Sequence, residues 1–265
     1  MKRHADAGMD RAVLARRRLD GFLAAAERYG ARRDFPADDA TSRLSAALHF
    51  GTISPRTVLG EARRKWRDSA APARAGIEKF VDELCWREFS HAILFHFPRV
   101  ATGAFRREMD ALEWDEPGRR LAAWKDGRTG YPFVDAAMRQ LREENWMHNR
   151  ARMTVASFLT KDLHVDWREG ERWFARNLVD ADLANNNAAW QWVAGTGADA
   201  APWFRVFNPV LQGRKFDPSG DYVRRYVPEL AHLSGEEIHE PRDPIVDHAV
   251  EKEEALRRYR RVVGK

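Results

Sequence analysis

Apolar residues recur along this chain at helical spacing. Leu19, Phe22, Leu23 and Ala26 fall at i, i+3, i+4 and i+7, which predicts an amphipathic entry helix within residues 1–28. Arg11, Arg16, Arg17 and Arg18 share that segment and read as its solvated face. Ile77, Phe80, Val81, Leu84 and Ala92 form a second stripe running towards Pro98. Val134, Ala137, Met138 and Leu141 form a third, opened by Tyr131-Pro132. Val155, Phe158 and Leu159 continue a fourth. A C-terminal helical tail is predicted over 246–265, its helix running from Ala249 to Val262 with Leu256 and Tyr259 on one side. Strand-like alternation is scarce, and no βαβ series or linker divides the chain. The pattern predicts an all-α fold with residues 1–265 in a single helical domain. Asp180 to Phe216, rich in Asn, Trp and Gly, reads instead as a loop-rich functional stretch.

Composition adds limits. Of 265 residues, 44% are hydrophobic and 32% charged, as in ordinary globular domains. Lys and Arg number 45 against 40 Asp and Glu, so the net charge of +5 permits a polyanionic partner without requiring one. Ten Trp are unusual. Each buried indole N–H needs a partner, so most belong in a core while some could stack on planar ligands. Cys85 is the one cysteine, which excludes a disulfide framework and a cysteine-based metal site. No apolar leader core or membrane-length run is present, so the protein is expected to be soluble and cytoplasmic.

Taken singly, the local motifs are weak. Gly195-Thr-Gly197-Ala-Asp-Ala200 matches a dinucleotide fingerprint, but no strand precedes it, and Pro202 and Pro209 follow too soon for its helix. Asp180 and Asp182 could begin a cation site but lack further ligands, and pairing with Arg152 is the simpler role. No metal site is predicted. Thr41-Ser42-Arg43-Leu44-Ser45 could cradle a pyrophosphate or merely cap a helix. Glu83, Trp86 and Arg87 share one helix face, and Asn149, Arg152 and Met153 repeat the spacing on another. Two such faces suit a planar ligand with polar edges. His148 has no catalytic role, and no Ser/His/Asp triad is legible.

Together the blocks are more specific. TSRLS at 41–45, ELCWREF at 83–89, GRTGYPFVDAAMRQL at 127–141, WMHNRARM at 146–153 and DWREGERWF at 166–174 resemble the class I DNA photolyases of the photolyase/cryptochrome family. DADLANNN at 180–187, WQWVAGTGADAAPWFRVFNP at 190–209 and VRRYVPEL at 223–230 are similar too, in family order from about Tyr29 to Ile245.

The resemblance implies a helical FAD-binding catalytic domain that repairs cyclobutane pyrimidine dimers by electron transfer from light-excited, reduced FAD (FADH⁻). Tyr29, Thr41, Ser42, Leu44 and Ser45 would clamp the phosphates and neighbouring groups, and Trp146, Asn149 and Arg152 would line the flavin. Asp180 and Asp182 would contact the ring and the Arg152 guanidinium, and Asn186 would face N5. Glu83, Trp86, Asn149, Met153 and Trp192 would form the lesion pocket, with Arg33 and Arg150 reaching the backbone of UV-damaged DNA. Trp190, Trp167 and Trp114 match the family's electron-transfer chain. Asn149 stands where (6-4) photolyases carry His, which favours cyclobutane dimers. A cryptochrome-like photoreceptor and (6-4) repair are the alternatives.

Departures from the family pattern are local, except for one. Ala188 and Ala189 replace a usual Gly pair, Trp203 a usual Tyr, Phe80 a Trp of some relatives, and the stretch after His239-Glu240-Pro241 is short. The α/β antenna domain with which photolyases normally begin has no counterpart here, so no antenna chromophore is expected. A monomer associated with the nucleoid through DNA is anticipated.

Overall fold

The apolar stripes become the buried faces of helices. The structure, a computed structural model, describes the backbone of residues 2–264 and the side chains of 11–264. Its α-helices are α1 (Lys2–Ala24), α2 (Ala26–Arg32), α3 (Ser45–His49), α4 (Pro55–Arg67), α5 (Ala71–His96), α6 (Arg119–Asp126) and α7 (Pro132–Glu144). They continue with α8 (Asn149–Ser157), α9 (Trp167–Asn177), α10 (Leu183–Ala194), α11 (Pro209–Phe216), α12 (Asp221–Tyr226) and α13 (His248–Val263). Among the described residues the only β pairing is an isolated parallel bridge between Asp115 and Val165. No helix among them is long and apolar enough to cross a membrane.

The described residues form two large apolar cores and a small third one of Ala104, Met109, Leu112 and Tyr259. Leu19, Leu23, Tyr29, Leu44, Val58, Ile77 and Phe80 join α1 to α4 and the first half of α5. Phe133, Val134, Met138, Val155, Trp167 and Trp190 belong to the larger core built from α6 to α10 and α12. Beyond Leu84, α5 faces a cavity with Trp86, Phe89, Ser90 and Ile93.

The entry segment differs from the expected single helix. Ala25 leaves the helical region at φ −106° and ψ 14°, and the chain restarts as α2. The break lets Tyr29 pack edge-on against Phe80 of α5, with ring centres 6.1 Å apart. The approach is close because residue 76 has no side chain: a Cβ there would lie 1.8 Å from the carbonyl oxygen of Ala26. The Val155 stripe also changes form. α8 ends at Ser157, and Phe158–Asp162 widens into a π turn in which Leu163 N donates to Phe158 O at 3.0 Å.

Asp180 to Phe216 carries α10 and α11 as well as an irregular stretch over 195–208, so the expected loop-rich segment is only partly loop. Asp182 caps α10, its Oδ1 accepting from Asn185 N at 2.9 Å, so the Asn run begins a helix. Gly195, the first glycine of the apparent fingerprint, ends that helix at φ +75°. The tail helix α13 buries Ala255 and Tyr259, while Leu256 is only partly covered. Tyr259 donates its hydroxyl to Ala194 O at 2.6 Å, which fastens the tail to the end of α10.

Gly76→Ala should therefore destabilise the fold by about 1–3 kcal/mol, because the obstacle is backbone that cannot rotate away. Urea unfolding would show the change as a lowered midpoint.

Candidate functional site

A cavity of about 530 Å³ opens between the second half of α5, the start of α8 and the length of α10. Its spacing on α5 follows from the sequence: Trp86, Phe89, Ser90 and Ile93 lie at i, i+3, i+4 and i+7 and share one face. Glu83 sits one turn earlier on the same side. Asn149 and Met153 are one turn apart on α8, and Trp192 reaches in from α10. All five residues expected at the lesion pocket thus meet at one cavity. Arg152, Asp180, Asn186 and Trp190 line it as well.

Polar ties hold these walls. Arg152 Nη2 lies 3.0 and 2.9 Å from the two Asp180 oxygens, and its Nε donates to Met147 O at 2.8 Å. Asn186 Nδ2 donates to Glu171 O at 3.0 Å, so its amide oxygen is left for the cavity side. Behind it, Asn187 Nδ2 reaches both Val100 O and Glu171 Oε1, and Gln191 Nε2 reaches Asn187 Oδ1 at 2.9 Å. Burial raises the Glu171 carboxyl above its ordinary range. Trp190 is 2% exposed, and its Nε1 has no hydrogen-bond partner among the described residues.

Other expected residues lie elsewhere. Asp182 does not touch Arg152. Its Oδ2 instead faces His91 Nε2 at 3.1 Å; burial opposes ionisation, but the Asn185 N–H and the His91 charge hold the carboxyl below its usual value. Trp146 lies under the Arg43 guanidinium, 4.1 Å from ring centre, rather than on the cavity wall. Tyr29 is buried between Phe22 and Phe80, where desolvation pushes its hydroxyl up to about 12. Leu44 is core and Ser45 is exposed at the start of α3. Thr41 and Ser42 line a second cavity of about 240 Å³ with Arg18, Arg28 and Arg43. Arg33 and Arg150 are not free cations: they pair with Glu83 at 2.6 Å and Asp34 at 2.8 Å.

The three expected electron-transfer tryptophans run from buried to partly exposed. Trp190 and Trp167 are covered, and Trp114 is half-covered. α9 passes close to Trp190, since a Cβ on Gly170 would fall 2.0 Å from Trp190 Cη2, and Trp167 lies three residues before that glycine. Sequence reasoning missed Phe89, Ile93, Phe105 and Phe174 on the cavity wall. The first two were available from the spacing that begins at Trp86. Among the described residues no group of three or more His, Cys, Asp or Glu is placed to hold a metal ion.

The family profile described as "FAD binding domain of DNA photolyase" matches residues 80–261. The chain belongs to this family. Among curated photolyases, deoxyribodipyrimidine photo-lyase of Halobacterium salinarum is 46% identical over 94% of the chain and 56% of the relative. A crystal structure titled a class III photolyase, from Agrobacterium tumefaciens, superposes with a TM-score of 0.89 at 47% identity, covering 96% of this chain and 56% of that one. A Synechocystis cryptochrome gives 0.83 at 30% identity, covering 93% and 55%. The chain thus spans about half the length of the photolyases it matches. The motifs suggested class I, whereas a close structural relative is titled class III, so the family statement stands without a class.

His148 caps α8 beside this site, its Nδ1 accepting from Arg150 N at 3.1 Å. Burial pushes its pKa down to about 4, against partial opposition from the Arg33 backbone and Asp34 and with Arg152 and Arg150 adding to the depression. Its folded value lies below the unfolded 6.5, so the unfolded chain takes the proton first. Stability from this group is full above pH 6.5 and declines as pH falls towards 4, by about 2 kcal/mol at pH 5. A His148→Gln protein should lose less stability between pH 7 and pH 5 than the parent, as urea midpoints at the two pH values would show.

Proposed function

We propose that this chain binds FAD in the central cavity and repairs cyclobutane pyrimidine dimers in DNA under light, residues 1–265 acting as one FAD-binding catalytic domain. The observation that carries this reading is convergence. Glu83 and Trp86 from α5, Asn149 and Met153 from α8, and Trp192 from α10 open onto one cavity beside Arg152, Asp180 and Asn186.

The residues fit the cofactor. A volume of about 530 Å³ is of ligand size, its walls are largely apolar, and the indole N–H of Trp190 is a buried donor in want of an acceptor. Arg152, Asp180 and Asn186 would hold polar ring edges, Arg152 as the cation and Asn186 through its free amide oxygen. Thr41 and Ser42, with Arg18 and Arg43 beside them, supply hydroxyls and positive charge suited to phosphates. Bound and reduced, FAD supplies the light-excited electron donor.

The chain's own residues would then shape the reaction. Enzymes that act on a base, photolyases among them, take it out of the duplex, and a weakly paired lesion costs least to extrude. Trp86 and Trp192 offer apolar faces to such a dimer, while Glu83 and Asn149 meet its polar edge. Together with Phe89 and Met153 they limit water in the pocket. Trp114, Trp167 and Trp190 lead from a partly exposed position to the cavity wall, a route for electrons entering from the surface. Asn149, in place of the His of (6-4) photolyases, supports the cyclobutane dimer as substrate.

Repair of a thymine dimer in a short oligonucleotide tests the reading directly, with reduced FAD and matched light and dark samples. Repair should require light. Equal repair in both, or none with flavin bound, would place the chain with light sensors such as its cryptochrome relative. Glu83→Gln should lower repair per bound dimer by about tenfold, the loss of one charge-assisted hydrogen bond, with flavin absorption unchanged. Trp190→Phe should block photoreduction of oxidised protein yet leave repair by chemically reduced protein intact.

A further inference from the structure

The segment that continues α8 buries a charge that the site itself does not use. Lys161, in the π turn Phe158–Asp162, is 1% exposed, and its ammonium forms no ion pair among the described residues. A buried ammonium without a carboxylate needs neutral acceptors for its N–H groups. Lys161 Nζ donates to Arg205 O at 2.7 Å and lies 3.4 Å from Trp203 O. Its remaining side faces the Tyr259 ring, 5.6 Å from the centre. Burial pushes its pKa down to about 8, with Asp162 opposing and Arg205 adding to the depression, so at pH 7 it keeps all three donors.

Both acceptors belong to the irregular stretch 195–208 between α10 and α11. This loop starts at the cavity, whose wall includes Gly197, Ala198 and Asp199. It is then pinned at three points. Ala201 N donates to Trp192 O at 3.0 Å, Lys161 holds the carbonyls of Trp203 and Arg205, and Phe207 N donates to Ser157 Oγ at 3.2 Å. Between the pins two side chains turn outward. Phe204 is 61% exposed, and Arg205 is exposed with no carboxylate partner among the described residues.

Asn149, Met153, Ser157 and Lys161 follow one another at intervals of four. The first two line the cavity and the last two hold the loop. In a regular α-helix such a row drifts sideways by about 40° per step. A π turn takes more residues per revolution and reduces that drift, which brings Lys161 back towards the line of Ser157. One row of side chains thus serves both the pocket and the loop beside it.

We propose that Lys161 is a positioning residue for the substrate: it fixes loop 195–208 beside the cavity, so that Phe204 and Arg205 meet the DNA that flanks an extruded dimer. The identity of that substrate rests on the function proposed above. An apolar ring next to an unpaired cation suits such a partner, since the ring can stack on an unpaired base and the guanidinium can reach a phosphate.

The test uses the full chain loaded with FAD, as Lys161→Met, which keeps a long side chain but donates nothing, and as Ser157→Ala, which removes a neighbouring pin. Binding of a dimer-containing oligonucleotide is measured in the dark, repair per bound dimer in the light, and hydrogen exchange of the loop amides in the free protein. Lys161→Met should bind the dimer about tenfold more weakly, with faster exchange at Ala201 and Arg205. Repair per bound dimer and flavin absorption should be unchanged. Ser157→Ala should move affinity and exchange in the same direction by about threefold. Where Lys161→Met fails to hold flavin, Ser157→Ala carries the same comparison. Unchanged affinity despite faster loop exchange would overturn the proposal. Equal falls in affinity and in repair per bound dimer, or loss of flavin from both variants, would make Lys161 a support of the core as a whole and would also overturn it. Parent protein without dimer preference would remove the proposed function and not the anchor. In that case unaltered loop exchange in Lys161→Met would count against the anchor, and acceleration confined to the loop would uphold it.

Discussion

The pairing of Arg152 with Asp180 is the constraint from which the cavity follows. The Asp180 side chain is 3% exposed, and a carboxylate so placed needs a cation and hydrogen bonds to remain charged. Arg152 supplies both oxygens with a donor while its Nε holds the Met147 carbonyl. The start of α8, the turn before it and the segment leading to α10 are therefore joined by one side chain. Apolar helices left to themselves close over a void, because each lost contact forfeits dispersion energy. A polar pair at the wall resists that closure, since collapse would displace it from its partners.

The same device is repeated along α10. Asp182 reaches His91 on α5, Asn186 and Asn187 reach α9, and Gln191 reaches the carbonyls of Val100 and Gly103 beyond α5. α10 is thus fixed on both flanks by directional bonds, which cannot slide as apolar contacts can. Its alanines, Ala188 and Ala189, face the cavity and keep that wall low. The Ala pair that departs from the usual glycines is accommodated within an unbroken helix. A polar spine with a small-residue face makes one helix both a scaffold and the floor of the site.

Much of this was legible in the residues, for reasons that also explain what was not. The stripes at Ile77–Leu84 and Val134–Leu141 announced their helices because burial on one face imposes a 3.6-residue period. Glu83 with Trp86, and Asn149 with Met153, were legible as two helix faces because each pair lies about one turn apart, whereas Trp192 on α10 was placed by likeness alone. Within Asp180 to Phe216 the helix α10 was missed because Asn and Gly favour loops on their own, whereas here the Asp182 cap and the burial of Trp190 outweigh that preference. The break at Ala25 left no trace at all. Its cause is the approach of α2 to α5 at Gly76, a contact across fifty residues that no local pattern encodes. Trp146 and Asp182 were assigned to the cavity by likeness, and their side chains are instead engaged by Arg43 and by His91.

The arginines show most clearly what counting charge cannot do. A net charge of +5 permits a polyanionic partner without requiring one, and Arg33, Arg150 and Arg152 are each paired with a carboxylate within 3 Å. Around the cavity these guanidinium charges are balanced by neighbouring carboxylates. Arg18 and Arg28, which line the smaller cavity, have no carboxylate partner among the described residues. Which arginines are paired with carboxylates is legible only in the structure.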